Sequence, residues 1–319
     1  MEPRAVTGLG VVSAVGIGRE AFFAALRNPK PLADRAPEDF SVESFDASPY
    51  PNAKVAEVAS FDPTRYLGDK GLRTLDRLTK LLVVAARLAV HDCGFKKDGE
   101  WIQSSPERVG IVCSNAYGSL EAITEMDRVA QLEDARYINP AKFPNTVANS
   151  ASGYASIWEN LRALNVAVSD GNCGALDAVG VADIHLSTLR ADAILVGGAE
   201  AMSEAIYLAF RRLGALEGAL LGEGAALVVA EPLALAQERG ASILCEILGY
   251  GTAFEFPDDE DNKLIHASHE AMETAIGTAI ADAGIDPKTI DAVSSGLGGL
   301  KRFDDAEILA IHNALGRDD

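Results

Sequence analysis

Two neighbouring side chains occupy a place where a nucleophile could be held: Asn172 and Cys173, in Val166-Ala-Val-Ser-Asp-Gly-Asn-Cys-Gly-Ala-Leu-Asp-Ala-Val-Gly180. A hydrophobic run enters a Gly-containing turn, and a helical pattern follows. That strand–turn–helix order holds the turn residue at a helix N-terminus, where unpaired N–H groups and the helix dipole stabilise an anion. The two side chains differ in what they can do there. A thiol can act as a nucleophile, and a helix N-terminus lowers its pKa. A carboxamide can only hydrogen-bond. One helical step rotates a side chain by about 100°, so the two face different surroundings. Asn also favours turns and helix caps, which gives Asn172 a plain structural reading beside the functional one.

The elements that must position this turn alternate between helical and strand periods, the pattern of a layered α/β fold with a largely buried sheet. Leu72 to Val90 repeats apolar residues at helical spacing, and Arg108-Val-Gly-Ile-Val-Cys-Ser114 follows as a strand. The same order returns later. Ala271 to Ala283 is helical, a polar turn holds Pro287, and Ile290-Asp-Ala-Val-Ser-Ser295 has a strand pattern. Ala89-Val-His-Asp-Cys-Gly-Phe95 and Ser105-Pro-Glu-Arg-Val-Gly-Ile111 match Ala281-Asp-Ala-Gly-Ile285 and Asp286-Pro-Lys-Thr-Ile-Asp-Ala292 as a faint internal repeat. Pro and Gly punctuate Glu231–Gly240, which sets expected domains at 1–235 and 236–319. Asp258–Asn262 is expected to be a solvated acidic loop.

A chain of 319 residues can bury a large core and accommodate two lobes. With 48% hydrophobic and 6% aromatic residues, the interior is expected to be rich in Ala, Val and Leu. No apolar run approaches the ~20 residues of a membrane helix, and Met1-Glu-Pro-Arg lacks a signal-peptide pattern. Cys93, Cys113, Cys173 and Cys245 are scattered without C-x-x-C spacing, so neither disulfides nor a zinc site is expected. A reduced, cytoplasmic protein without metal or cofactor follows. The formal charge of −19 argues against nucleic acid and anionic membrane as partners.

Five segments in order carry a family resemblance. They are Val6-Thr-Gly-Leu-Gly-Val-Val-Ser-Ala-Val-Gly16, Leu75-Asp-Arg-Leu-Thr-Lys80, Phe143-Pro-Asn-Thr-Val-Ala-Asn-Ser-Ala-Ser-Gly153, the Asn172 segment with Gly197-Gly-Ala-Glu200, and Gly222-Glu-Gly-Ala-Ala-Leu-Val-Val-Ala-Glu231. Together they resemble the β-ketoacyl synthases. The resemblance implies a thiolase-like fold with pseudo-duplicated α-β-α-β-α layers. It also implies that the acyl-accepting cysteine of active members falls on Asn172. Their carbonyl-polarising histidine falls on Gly296, in Ser294-Ser-Gly-Leu-Gly-Gly-Leu300. Family members continue beyond the point matching Asp319 into a Lys…Gly-His segment, so the C-terminal lobe is expected to be partial. The stretch from Glu200 to Gly222 is shorter than usual.

No histidine occupies a family-like base position. His91 and His185 fall in helical segments, and His266, His269 and His312 fall in polar ones. The closest type implied is the chain-length factor, a non-catalytic subunit that pairs with an active ketosynthase. There, Ala141 and Phe143 are candidates to line the partner's acyl tunnel, and Val166–Ser169 is the strand that pairs across the dimer. Acyl carrier proteins are acidic, and like charges repel over a Debye length of ~8–10 Å, so carrier contact is expected through the partner. Arg211-Arg212 and Lys301-Arg302 are local basic exceptions. The alternatives are an active synthase or acyltransferase using Cys173, and a solitary acyl-binding scaffold.

Overall fold

The computed structural model describes residues 1–30, 40, 42–217, 219–256 and 267–316. His266 and the acidic run Asp258–Asn262 lie outside them. The chain divides into two units. The larger comprises Arg4–Arg212 and Leu221–Glu246, the smaller Met1–Pro3, Leu213–Leu220 and Ile247–Asp319.

The larger unit is built on one mixed sheet. Its strands are β1 (Arg4–Ser13), β2 (Gly16–Ile17), β3 (Val109–Ser114), β4 (Asn165–Val168), β5 (Ala193–Glu200), β6 (Gly224–Pro232) and β7 (Cys245–Ile247). They run in the order β7-β1-β6-β5-β3-β4, with β2 hooked onto β1. β1–β6 and β6–β5 are antiparallel, while β5–β3 and β3–β4 are parallel. All of Val109–Ser114 is buried, the near-continuous apolar run that a strand covered on both faces requires.

Helices cover the two faces in step with the period-2 alternation of strand side chains. Apart from the single-turn helix Thr64–Leu67, those of the larger unit are α1 (Arg19–Arg27), α2 (Arg77–Asp92), α3 (Leu120–Leu132), α4 (Ser150–Glu159), α5 (Gly174–Ser187), α6 (Glu204–Arg212) and α7 (Leu233–Glu238). Ile111, Leu195, Leu227 and Val229 pack with Leu81, Leu82 and Ala85 of α2. On the other face, Val112, Ile194 and Val196 meet Ala178, Ala182 and Leu186 of α5. The expected helix from Leu72 breaks into a 3₁₀ turn, Leu72–Thr74, before α2 begins. The reason is Asp76, whose extended backbone and carboxylate, accepting the Thr79 N–H at 2.9 Å, make it the N-cap.

The smaller unit contains α8 (His269–Ala283) and α9 (Lys301–Leu315). Ser268 caps α8 by accepting the Ala271 N–H at 3.0 Å, and Gly284 ends it at φ 64°. Ile290–Ser295, expected as a strand, joins no sheet among the described residues, and residues 291–295 are exposed. A strand pattern becomes a strand only where a neighbour completes its ladder.

The internal repeat is visible in each unit's contacts. In β1, a Cβ on Gly8 or Gly10 would lie 2.7 Å from Ala89 O or 1.8 Å from Ala85 O of α2. In the smaller unit, a Cβ on Gly249 or Gly251 would lie 2.4 Å from Ala279 O or 2.1 Å from Ala275 O of α8. The residue between each glycine pair donates its N–H to an aspartate near the helix end: Leu9 to Asp92 at 2.9 Å, Tyr250 to Asp282 at 3.0 Å. The same Gly-x-Gly strap lies across a helix twice.

Among the described residues no helix is long and apolar enough to cross a membrane, and no group of three or more His, Cys, Asp or Glu could hold a metal.

Candidate functional site

The turn that carries Asn172 is fixed from below. After β4 the chain passes Asp170, makes a 3₁₀ turn over Gly171–Cys173, and enters α5 at Gly174. Gly171 is left-handed at φ 52°, a conformation open to glycine. A Cβ on Gly174 would lie 2.0 Å from Ser114 Oγ, and one on Gly198 would lie 3.2 Å from Ala175 Cβ. The first turn of α5 therefore sits directly on the ends of β3 and β5. Ser114 and Gly174 act as a pair that only the folded arrangement reveals, since strand end and helix start are far apart along the chain.

Asn172 is exposed, and its carboxamide makes no hydrogen bond among the described residues. The carboxamide does not satisfy the turn's backbone, because neither this 3₁₀ turn nor α5 has a side-chain cap bond. It remains available to a carbonyl brought from outside.

Cys173 is also exposed, but its thiol behaves opposite to expectation. The helix N-terminus predicts a lowered pKa, whereas partial burial pushes the thiol up, and the carboxylates of Asp177 and Asp170 push it further. Asp170 is itself raised, by a hydrogen bond from and the charge of Asp177. Burial first, and then the two carboxylates beside the thiol, oppose the helix dipole. Iodoacetamide at neutral pH is expected to alkylate Cys173 severalfold more slowly than free cysteine, with Asp177→Asn speeding it, as read by peptide mass mapping. A wild-type rate above that of free cysteine would contradict this electrostatic reading. Cys93 and Cys113 are buried, and burial pushes both to about 12. No histidine hydrogen-bonds the Cys173 thiol among the described residues. His91 lies on α2, where burial lowers its pKa, and His269 pairs with Glu270 at 3.0 Å.

Ala141 and Phe143 share one 3₁₀ segment, Pro140–Thr146. Asn139 caps it by accepting the Ala141 N–H at 3.0 Å, and Asn145 ties it back to Thr74 O at 2.7 Å. Both candidates face solvent in the single chain, Phe143 at 62% exposure. The arm is anchored, yet its apolar tip is uncovered.

Strand β4 ends the sheet with β3 as its one neighbour among the described residues. The helices packed against it expose Ile157 on α4 at 75%, and Leu176 and Ile184 on α5 at 70% and 61%. Among the described residues, this strand edge is unpaired and flanked by large apolar side chains, a template on which another strand can pair.

Gly296 belongs to the smaller unit. Its N–H donates to Glu307 Oε1 at 2.7 Å, while Asp304 accepts from Gly298 and Gly299 at 3.0 and 2.9 Å. Acidic side chains of α9 thus pin the loop. Gly296 is not left-handed, and a Cβ there would meet the movable end of Glu307 at 3.3 Å. Backbone geometry does not demand a glycine at this position.

With this geometry in place, comparison with known proteins gives consistent findings. The model of the β-ketoacyl synthase N-terminal domain matches residues 1–236, and that of the C-terminal domain matches 244–319. A 3-oxoacyl-[acyl-carrier-protein] synthase 2 from Coxiella burnetii is 30% identical, covering 99% of this chain and 78% of the relative. The protein of that name from Vibrio cholerae is 28% identical, covering 98% and 77%. A solved structure described as the ishigamide ketosynthase/chain length factor matches with TM-score 0.86 at 26% identity, over 99% of this chain and 78% of that one. A β-ketoacyl synthase from Burkholderia phymatum STM815 matches in fold, with TM-score 0.81 at 23% identity over 99% and 79%.

Proposed function

Because the chain belongs to the β-ketoacyl synthase family and adopts its thiolase-like α/β fold, we propose that it is a non-catalytic, chain-length-factor-like subunit. In this reading it pairs with an active ketosynthase of the same fold and shapes the cavity in which a polyketide or fatty acyl chain grows. One observation carries it: the turn that would present a nucleophile presents the exposed Asn172 carboxamide, which can hydrogen-bond a carbonyl but cannot form a thioester. Gly296 supplies no imidazole.

The partner would cover the open β4 edge. Ile157, Leu176 and Ile184 are apolar and uncovered there, as a large permanent interface requires. Ala141 and Phe143, on their anchored arm, would reach the partner's tunnel. The solved ishigamide pair is described as a ketosynthase with a chain length factor, which supports the same division of labour. Another solved structure, of matching fold, is described as an acyl-carrier protein in complex with its ketosynthase. Carrier docking on the partner would suit a chain of charge −19.

The 3-oxoacyl synthase names of the sequence relatives favour a second reading, an active synthase using Cys173. The raised thiol pKa opposes it. Incubating the purified chain with a radiolabelled acyl thioester separates the two. No covalent label is expected, and stoichiometric label that disappears in Cys173→Ala would establish the active reading. Co-expression with an active ketosynthase of the same fold should yield a stable heterodimer that extends acyl chains. A stable homodimer that ignores the ketosynthase would favour a solitary acyl-binding scaffold instead.

A further inference from the structure

We propose that Asn145 and Asn115 are positioning residues for the length of the acyl chain: their side-chain amides hold the segment around Pro140–Thr146 at two points and so fix how far Ala141 and Phe143 project. The inference rests on the reading above, in which that arm reaches into the partner's cavity.

The arm has little apolar burial of its own. From Gln131 to Asn149 one residue is buried, and it is the polar Asn145, 3% exposed. Its Nδ2 donates to Thr74 O at 2.7 Å, and its Oδ1 accepts the Ser150 hydroxyl in a longer contact of 3.5 Å. One amide therefore joins the arm to the turn that leads into α2 and to the first residue of α4. The second point lies just past the arm. Asn115, 5% exposed, donates its Nδ2 to Ala148 O at 2.8 Å. Its own N–H donates to Val168 O at 3.2 Å, which carries the β3–β4 pairing one residue beyond Ser114. Ser114 is the residue beneath Gly174, so the arm and the Asn172 turn share one support.

An apolar side chain buried at these points would hold the arm by contact alone, which tolerates sliding. A hydrogen bond from an amide to a backbone carbonyl holds one distance and one direction, and burial makes the loss of either partner costly. Phe143 is two residues from Asn145, within about 7 Å along the chain, so its ring has little freedom once that amide is seated. The exposed contact of the arm does not constrain it in this way. Lys142 pairs with Glu125 of α3 at 2.7 Å, but the two side chains are 42% and 47% exposed, and such pairs contribute little. Phe143 thus stands as a fixed apolar tip. A fixed stop at the end of a cavity sets the longest chain that fits, and a loosened stop admits longer ones.

Heterodimers of the full chain with an active ketosynthase of the same fold, supplied with malonyl thioesters, test this by mass spectrometry of the product lengths. The wild type should give one dominant length. Asn145→Asp keeps the shape of the side chain but sets an oxygen against Thr74 O. In that variant the ratio of the wild-type length to longer products should fall on the order of tenfold, the effect of one buried hydrogen bond lost. Phe143→Ala should shift the ratio in the same direction, and Lys142→Ala should leave it unchanged. Should Asn145→Asp fail to fold, Asn115→Asp, on the other tether, should give the same shift. An unshifted ratio in a folded asparagine variant, or a general loss of product at an unchanged ratio, overturns the inference and leaves the proposed pairing intact. An unshifted Phe143→Ala, or a Lys142→Ala shifted as far as Asn145→Asp, overturns it too. A wild-type heterodimer that makes no extended chain refutes the function proposed above, and the chain-length role falls with it.

Discussion

Replacing Gly10 by alanine is expected to destabilise the larger unit by about 3 kcal/mol or more, the upper range for overpacking. The new Cβ would stand 1.8 Å from Ala85 O and 2.7 Å from Ala89 N. Both are backbone atoms inside α2, so no rotamer change relieves the clash; the helix must move away from the sheet. That helix supplies Leu81, Leu82, Val83, Val84 and Ala85 to the core with essentially no exposure. Displacing it separates an entire face of β1, β5 and β6 from its cover. Gly153 provides the control. It lies within α4 with nothing within 4 Å of its would-be Cβ, so Gly153→Ala should gain about 1 kcal/mol from helix propensity alone. Urea unfolding read by circular dichroism checks both. A midpoint for Gly10→Ala equal to wild type would show that strap and helix are not in the contact described. Gly251→Ala should reproduce the damage in the smaller unit, where Ala275 O would lie 2.1 Å from the new Cβ.

The repeat that links these two straps was partly legible in the sequence. Asp92-Cys-Gly94 and Asp282-Ala-Gly284 stand out because an aspartate, a small residue and a left-handed glycine close a helix in both places. That Gly8-x-Gly10 and Gly249-x-Gly251 belong to the repeat was not legible, because a glycine's reason for being small lies in the distant helix that crosses it. Helix α2 and strand β3 were readable from their periods, but the N-terminal break at Asp76 was not, since capping depends on the backbone turning extended there. Ile290–Ser295 shows the reverse case. Its period is that of a strand, but a period cannot supply the neighbouring ladder.

At the candidate site, the sequence located the turn that carries Asn172 and Cys173. It misjudged the direction in which the Cys173 thiol shifts. Asp170 and Asp177 are seven positions apart, across a turn and a helix start, and only the folded turn brings their carboxyl groups together beside the sulfur. A dipole argument from position alone counts the helix and omits the side chains. The open β4 edge was anticipated through the strand Val166–Ser169, but the exposed Ile157 was not, because a helical apolar residue reads as core until its neighbours are known.

Asn172→Cys is expected to turn an inert turn into an acyl acceptor without making a synthase. The wild-type carboxamide is exposed, makes no hydrogen bond among the described residues, and lies outside the left-handed region. Its replacement should change stability by no more than about 0.5 kcal/mol. A sulfur at this position would stand before α5 with the end of β3 packed beneath Gly174. Exposed to an acyl thioester, the variant should acquire one acyl group per chain, seen by intact mass, and retain it in the Asn172→Cys/Cys173→Ala double variant. Condensation with a malonyl thioester should remain undetectable. By family resemblance that step uses an imidazole where this chain has Gly296, and the lost assistance corresponds to roughly 10²–10⁴ in rate. Adding Gly296→His is sterically open, since the new Cβ would meet the movable end of Glu307 at 3.3 Å. Condensation product from Asn172→Cys alone would mean that a side chain outside this account performs the imidazole's role. An unlabelled Asn172→Cys that is folded would mean that residue 172 is not at an acyl-accessible position, and the non-catalytic reading would then lose the observation that carries it.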